Sequence, residues 1–529
     1  MEQAKAEPAR DALGDRLAQV LAIDPGAPVV EYRGDWRTWG QLAATAQAVR
    51  AHVPGPGTRV GVLLRNRPPH VGLLAGLLLA GACVVTINPG RGQDRVRDDV
   101  AALHLPILAG EPADVAAFAP AGDPCRVLST TDLGAPLDAA GPLPGHAISR
   151  PGVAVEMLTS GTTGPPKRVP LSYQTLTRVL LGAKYYERNA GPAQAAAARL
   201  RTGVAIVNAP LVHLGGLFRV LQCLYDGRSF CLLERFSVEE WASAVRRHRP
   251  RTVSLVPAAL RMVLDADLDR GDLGSVRSVI SGTAPLAPEV ADAFTAKYGV
   301  PVLVSYAATE FGGGVAGWNL ADYQQFWAAK RGSVGRAHPG CELRVVDPAG
   351  GQPVATGAEG LLEVKAEQLD APGWVRTTDL ARIDEDGFVW ILGRADQVII
   401  RGGFKVRPDD VRVVLERDPR VRGAAVVGRG DPRLGEVPVA AVELRPGASG
   451  LTADELRDGA ARALARYELP AEIRIVDALP RTASGKVDLT EVRRLLGGPA
   501  PGYDTSTSME AGGQDQAPYE TDDKGRPVG

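Results

Sequence analysis

Apolar runs of strand length recur along the chain, separated by stretches of helical character. Residues 60–64, 204–207, 253–256, 278–280 and 302–304 are near-continuous apolar runs rather than alternating ones. Such runs suit strands buried on both faces, the arrangement of an α/β fold with helices over the sheet. Residues 71–87 (VGLLAGLLLAGACVVTI) carry no charge. That segment is shorter than the roughly 20 residues a membrane span needs, and it lacks an aromatic belt. It also changes character midway. Its Leu/Ala/Gly half reads as a buried helix and residues 83–87 as a buried strand. No integral membrane segment is expected.

Residues 104–150 are rich in Ala, Pro and Gly, with short β-like pieces, and read as surface connections. From Leu361 the texture shifts to short segments and turns. A compact α+β unit follows, with helices at about 408–417 and 453–465 and strands at 423–428, 438–444 and 472–476. A boundary is expected at 394–397. It separates a large N-terminal unit, 1–395, from a small unit, 396–497. Residues 498–529 have little to bury and are expected to form a disordered tail. No internal repeat is visible.

A chain of 529 residues has room for roughly three domain-sized units. Its net charge of −1 excludes a general electrostatic hold on nucleic acid or acidic lipid. Cys83, Cys125, Cys223, Cys231 and Cys341 show no Cys-x-x-Cys spacing, which argues against a zinc site or a disulfide framework. The start of the chain carries acids and no apolar signal core, so a cytoplasmic location is expected.

Candidate chemistry begins at residues 158–167 (LTSGTTGPPK), which follow an apolar run. Glycines let backbone N–H groups turn toward an anion, hydroxyls donate to phosphate oxygens, and a lysine adds a mobile point charge. The spacing Gly161-x-x-Gly164-x-x-Lys167 is not that of a Walker A loop, so a polyphosphate is expected on another architecture. The chain has 9 Lys against 51 Arg, so lysine is not its default cation. Lys167 and Lys486 each close a stretch of small hydroxyl residues and glycine.

Four more clusters stand out. Ser281-Gly282-Thr283-Ala284-Pro285-Leu286 follows a strand, and its small residues allow a flat ligand close to backbone. Tyr306-Ala307-Ala308-Thr309-Glu310 also follows a strand. There a tyrosine can stack on a base, a threonine can hold phosphate and a glutamate can carry Mg²⁺. Thr377-Thr378-Asp379, with Gly393-Arg394-Ala395-Asp396, offers an aspartate for ribose hydroxyls and an arginine for a phosphate or ribose edge. Gly402 and Gly403 interrupt a strand pattern, implying a bend or a ligand passing close to backbone. Gly312-x-Gly314-x-x-Gly317 matches a dinucleotide fingerprint but lacks the strand-to-helix context, and reads better as the wall of a ligand pocket.

Taken in order, these segments resemble the adenylate-forming superfamily of acyl-CoA synthetases, luciferases and peptide-synthetase adenylation domains, over residues 12–496. The resemblance implies a large N-terminal part of two α/β sheets and a small distorted β-barrel, followed by a small mobile α+β domain. Thr159, Ser160, Gly161, Thr162, Thr163, Gly164 and Lys167 would embrace the β- and γ-phosphates of ATP. Thr283, Ala284 and Tyr306 would contribute to the nucleotide site, the last two against adenine. Thr309 would contact the α-phosphate, Glu310 Mg²⁺, and Asp379 the ribose with Arg394 beside it. Lys486 would reach the carboxylate and the α-phosphate. Asp396 would be the hinge, and Gly402 and Gly403 would flank the pantetheine arm of CoA. His213, Gly282, Ala307 and Gly312 would line the acyl pocket.

The implied activity is ATP-dependent adenylation of a carboxylic acid, with ATP, Mg²⁺ and CoA as cofactor or co-substrates. Amino-acid-activating relatives carry an aspartate where this chain has His213 among apolar neighbours, which favours an acid without an amine. Three departures stand out. Arg168, Ala307 and Thr378 occupy positions where the family usually has glycine. An acyl carrier protein or another acceptor stays open at this stage. So do a non-catalytic role and a nicotinamide oxidoreductase built on Gly312–Gly317.

Overall fold

The computed structural model describes residues 12–120, 125–142, 149–159, 167–182, 197–369, 373–401, 404–448, 450–482 and 485–497. The continuous apolar runs are strands, because side chains on both sheet faces meet helices. Arg59–Leu63 and Cys83–Ile87 are buried at every position and pair in parallel. They lie inside a seven-stranded sheet. Its order is Asp138–Ala140, Arg126–Ser129, Ile107–Gly110, Arg59–Leu63, Cys83–Ile87, Val153–Thr159 and Lys167–Ser172.

The uncharged segment resolves into helix Pro68–Leu79, opened by prolines that need no N–H partner, and strand Cys83–Ile87. Gly76 lets this helix press onto helix Trp39–Ala51. A Cβ there would stand 2.6 Å from the Ala46 carbonyl oxygen. Among the described residues, no helix is long and apolar enough to cross a membrane. All five cysteines are free.

Residues 104–150 are not merely surface connections. Ile107–Gly110 is fully buried in the middle of the large sheet, and Arg126–Ser129 continues it in parallel. The short β-like pieces expected there are therefore sheet strands, and what the Ala/Pro/Gly-rich spacers concealed is that they belong to the large sheet.

The second expected α/β layer is divided in two. Arg201–Val207, Arg228–Leu232, Pro28–Tyr32 and Asp35–Thr38 form one sheet. Thr252–Ser254, Ser278–Ser281, Val302–Ala308, Gly313–Gly317 and Arg336–Ala337 form another. In place of a closed barrel, Cys341–Val346, Gly360–Ala366, Val375–Ile383 and Val389–Arg394 make a four-stranded antiparallel sheet.

The separate C-terminal domain is built on the long hairpin Val421–Asp431 and Gly435–Leu444, with Glu472–Val476 added in parallel. Helix Pro408–Leu415 carries Val411 and Leu415 into one of its apolar clusters. Helix Ala453–Ala460 ends earlier than expected, and its start is fixed by a reciprocal Thr452–Glu455 capping box.

Candidate active site

Open α/β sheets bind ligands in the crevice at the carboxyl ends of their strands. Strands Ser278–Ser281 and Val302–Ala308 run parallel and end side by side. Their ends therefore bring residues 282–284 and 306–310 to one place. Both groups line a cleft of about 2610 Å³, together with His213, Asp379, Arg394 and Lys486. A pocket for one small molecule is typically roughly 300–1,000 Å³, so this cleft has room for more than one ligand.

Gly282 is needed for close approach, because a Cβ would stand 3.0 Å from the Ser305 carbonyl oxygen. Thr283 adopts φ 72°, a left-handed conformation that a β-branched residue resists at a cost of about 1–3 kcal/mol. Ala307 sits on Val302–Ala308 opposite Gly314 and lines the cleft. Thr309 opens a single 3-10 turn, Thr309–Phe311, which turns Glu310 out to an exposed position.

Tyr306 is tied to a distant strand. Its hydroxyl donates to Oδ2 of Asp379 on Val375–Ile383. Burial pushes the phenol well above its ordinary pKa, and the Asp379 carboxylate adds to that. Burial also raises Asp379, although the Tyr306 bond and the Arg394 charge oppose the shift. Asp379 and Arg394 are cross-strand partners. The Arg394 guanidinium forks onto Asp396, with Nε to Oδ1 at 2.9 Å and Nη2 to Oδ2 at 2.7 Å. Here the arginine is engaged by the expected hinge residue.

Lys486 lies in a tight loop. Arg481 and Val487 bridge antiparallel, and the Thr482 N–H donates to the Lys486 carbonyl at 2.7 Å. Burial lowers the ammonium pKa, with Glu310 opposing and Arg394 assisting. His213 caps helix Leu214–Asp226. Its buried Nε2 has no hydrogen-bond partner among the described residues. Burial, then the Lys486 charge, pull its pKa down to about 4, so the imidazole is neutral at pH 7. Four residues far apart in sequence, at 213, 310, 394 and 486, thus act electrostatically on one neighbourhood.

Thr159 and Lys167 are opposite partners in the antiparallel pair Val153–Thr159 and Lys167–Ser172. Ser160, Gly161, Thr162, Thr163 and Gly164 lie outside the described residues, as do Gly402 and Gly403. The strands flanking the latter pair are antiparallel, with Arg401 opposite Phe404. Arg168, one of the departures, donates to the Thr86 carbonyl at 3.0 Å and pairs with Asp99 at 2.7 Å. Its charge is thereby committed to helix Gln93–Leu103.

Gly312 is a correction. It is absent from the cleft lining, and a Cβ there would meet Thr175 Cγ2 at 2.6 Å. Its φ of +69° closes the 3-10 turn. Gly313 and Gly314 line the cleft instead. A Cβ on Gly314 would stand 3.0 Å from His338 Cε1 and 3.3 Å from Ser305 Oγ. The Gly312–Gly317 fingerprint belongs to an antiparallel strand, Gly313–Gly317, so it is not a dinucleotide turn.

Sequence reasoning missed His338 and Ser305, which sit in strand-like stretches without a motif. It also missed Asn66. That buried side chain donates to the Ala209 and Leu233 carbonyls at 2.9 and 3.0 Å and accepts from Leu211 N–H at 2.8 Å, fixing the turn before His213. Elsewhere Glu31, Cys231 and His248 bring three potential metal ligands together. Arg247 stands 2.7 Å from Glu31, however, so the buried carboxylate already has a half-exposed guanidinium as its counter-charge.

A sequence profile of AMP-binding enzymes matches residues 17–370, and one of the AMP-binding enzyme C-terminal domain matches residues 411–486. The chain is 31% identical to 4-coumarate–CoA ligase 5 of Oryza sativa subsp. japonica, covering 92% of this chain and 94% of that one. It is 30% identical to a feruloyl-CoA synthase of Amycolatopsis sp, covering 92% and 99%. Among solved structures, ATP-bound MatB of Rhodopseudomonas palustris is similar at TM-score 0.77 and 26% identity, over 91% of this chain and 98% of that one. The apo form of the same protein scores 0.66 at 25% identity over the same shares.

Proposed function

The chain belongs to the AMP-binding enzyme family, and from that premise we propose that it is an AMP-forming ligase joining an aryl-substituted carboxylic acid to CoA. The observation that carries the reading is the convergence of Lys486 with Glu310, Arg394 and His213 in a cleft spacious enough for more than one ligand.

In the first half-reaction a carboxylate oxygen attacks the α-phosphorus of ATP in line, and the bond to pyrophosphate breaks. Two anions meet, so donors and cations aimed at the developing charge lower the barrier, each by roughly 3 kcal/mol. Lys486 is assigned to the carboxylate and α-phosphate, and Thr309 to the α-phosphate. Lys167, with the loop before it, is assigned to the departing phosphates. Asp379 and Tyr306 position the nucleoside. His213, neutral at pH 7, lines the acyl side without adding charge. The exposed Glu310 carboxylate offers the hard oxygen donor that Mg²⁺ prefers. Bound there, the ion would neutralise phosphate charge. In the second half-reaction the CoA sulfur bonds to the acyl carbonyl carbon, the carbon–oxygen bond to AMP breaks, and the thiol proton is lost.

The acid class rests on the relatives and on the pocket wall. Both curated relatives named above act, by their names, on aryl-bearing acids. Gly282, Ala307, Gly313 and Gly314 present almost no side chain to the cleft, which suits a flat group, with Ser305 and His338 beside Gly314. A cytoplasmic location agrees with free cysteines and with ATP and CoA as co-substrates.

The test is pyrophosphate release across a panel of aryl, straight-chain and amino acids, with and without CoA. Aryl acids giving pyrophosphate, AMP and a CoA thioester support the reading. Release only with amino acids, or adenylate that never passes to CoA, counts against it.

A further inference from the structure

Lys486 belongs to the small domain, whereas Thr309, Glu310 and His213 belong to the large one. Something must hold the two together when Lys486 is in the cleft. Helix Pro257–Asp265 of the large domain supplies two charged side chains for this. Arg261 donates to Glu416 Oε2 at 2.8 Å and to the Arg422 carbonyl at 3.1 Å. Glu416 ends helix Pro408–Leu415, and it also receives Arg412 at 3.0 Å and the Ala424 N–H at 3.1 Å. Asp265, one turn along, pairs with Arg445 and lies 3.8 Å from Arg422 Nε.

The contact reaches Lys486 by a short relay. Arg422 Nη1 holds Glu443 Oε1 at 2.8 Å, and Glu443 Oε2 accepts the Leu479 N–H at 3.0 Å. Arg481 lies 3.7 Å from the same carboxylate. Leu479 and Arg481 begin the segment that bears Lys486, and Arg481 donates to the Gly485 carbonyl at 3.2 Å. Glu443 is 3% exposed and Glu416 11%, so these pairs are poorly screened and depend on geometry. Arg261 also lines the cleft, together with Glu416 and Arg422, whereas Asp265 is not part of its lining.

We propose that Arg261 and Asp265 are positioning residues that latch the small domain in the arrangement with Lys486 in the cleft, and so favour adenylation over thioester formation. The proposal rests on the ligase reading above. Gly402 and Gly403, assigned above to the pantetheine arm, belong to the same small domain as Lys486, so on that assignment the latch must release before thioester formation and acts on the two half-reactions with different sign.

The test measures both half-reactions in full-length Arg261→Gln, Arg261→Lys and Asp265→Asn. Acid-dependent pyrophosphate release reports the first, and thioester formation from supplied acyl-adenylate and CoA reports the second. The expected result is a roughly tenfold fall in the first for Arg261→Gln, a smaller fall for Arg261→Lys, and an unchanged or faster second. Asp265→Asn gives the same split if Arg261→Gln fails to fold. Equal losses in both half-reactions, or no change in either, overturn the latch. Wild-type protein that releases no pyrophosphate with any acid overturns the ligase reading instead.

Discussion

The Tyr306 hydroxyl donates to Asp379 Oδ2 and so couples the end of a parallel strand in one sheet to the middle of an antiparallel strand in another. The bond sits where the nucleoside is assigned, and it orients a carboxylate that burial would otherwise tend to protonate. Tyr306→Phe removes one hydrogen bond to a charged group, an interaction of about 1.5–3 kcal/mol. The expected outcome is KM for ATP raised by about tenfold or more with a smaller change in kcat, read from steady-state pyrophosphate release.

Lys486→Ala should lower adenylation by on the order of a hundredfold or more, the usual cost of removing one charge-stabilising donor. Thioester formation from supplied acyl-adenylate should fall far less. Comparable losses in both would contradict the assigned role. Burial also lowers the Lys486 ammonium below its ordinary pKa, so adenylation should fade at a less alkaline pH than an ordinary lysine allows.

His70 is buried on helix Pro68–Leu79, near Asp114, Arg65 and Arg67, and burial pulls its pKa down to about 4. The unfolded chain, at about 6.5, takes up the proton first as pH falls. Stability therefore holds above pH 6.5, declines toward pH 4, and loses about 3 kcal/mol in all from this group. His70→Leu should flatten that acid slope in urea unfolding measured between these pH values. An unchanged slope would show that the site relaxes on protonation.

Thr283→Gly should relieve the left-handed strain. Relief of about 1–3 kcal/mol, less the glycine entropy of about 0.5–1 kcal/mol, leaves a net gain of roughly 1 kcal/mol, visible as a small rise in Tm.

Gly314→Ala places a methyl 3.0 Å from His338 and 3.3 Å from Ser305. The expected outcome is a shift of the acid panel toward smaller substrates, with KM for the preferred aryl acid up by several-fold and KM for ATP unchanged. Equal changes for all acids would remove this wall from the acyl pocket.

Much of the fold was legible because buried parallel strands must be apolar at every position, and five such runs stood out. The burial of Ile107–Gly110 in the large sheet was missed because four residues show no period that would tell a core strand from a surface piece. The cleft residues at 282–284, 306–310, 379, 394 and 486 were legible because phosphate, ribose and metal chemistry demand particular side chains next to glycines. Gly312 was misplaced because sequence does not tell which way a Cα faces. The glycine at φ +69° serves the turn and packs on Thr175, while its two successors face the cleft.

Local features were thus determined by sequence alone: which runs must be buried, and which loops carry glycines, hydroxyls and a lysine together. Tertiary structure alone decided which of these groups meet. His213, Glu310, Arg394 and Lys486 come to one cleft because strand order and the docking of the small domain onto helix Pro257–Asp265 bring them there. Those contacts are long-range and pairwise, between charges and backbone groups that carry no local pattern, so they became visible only once the chain was folded.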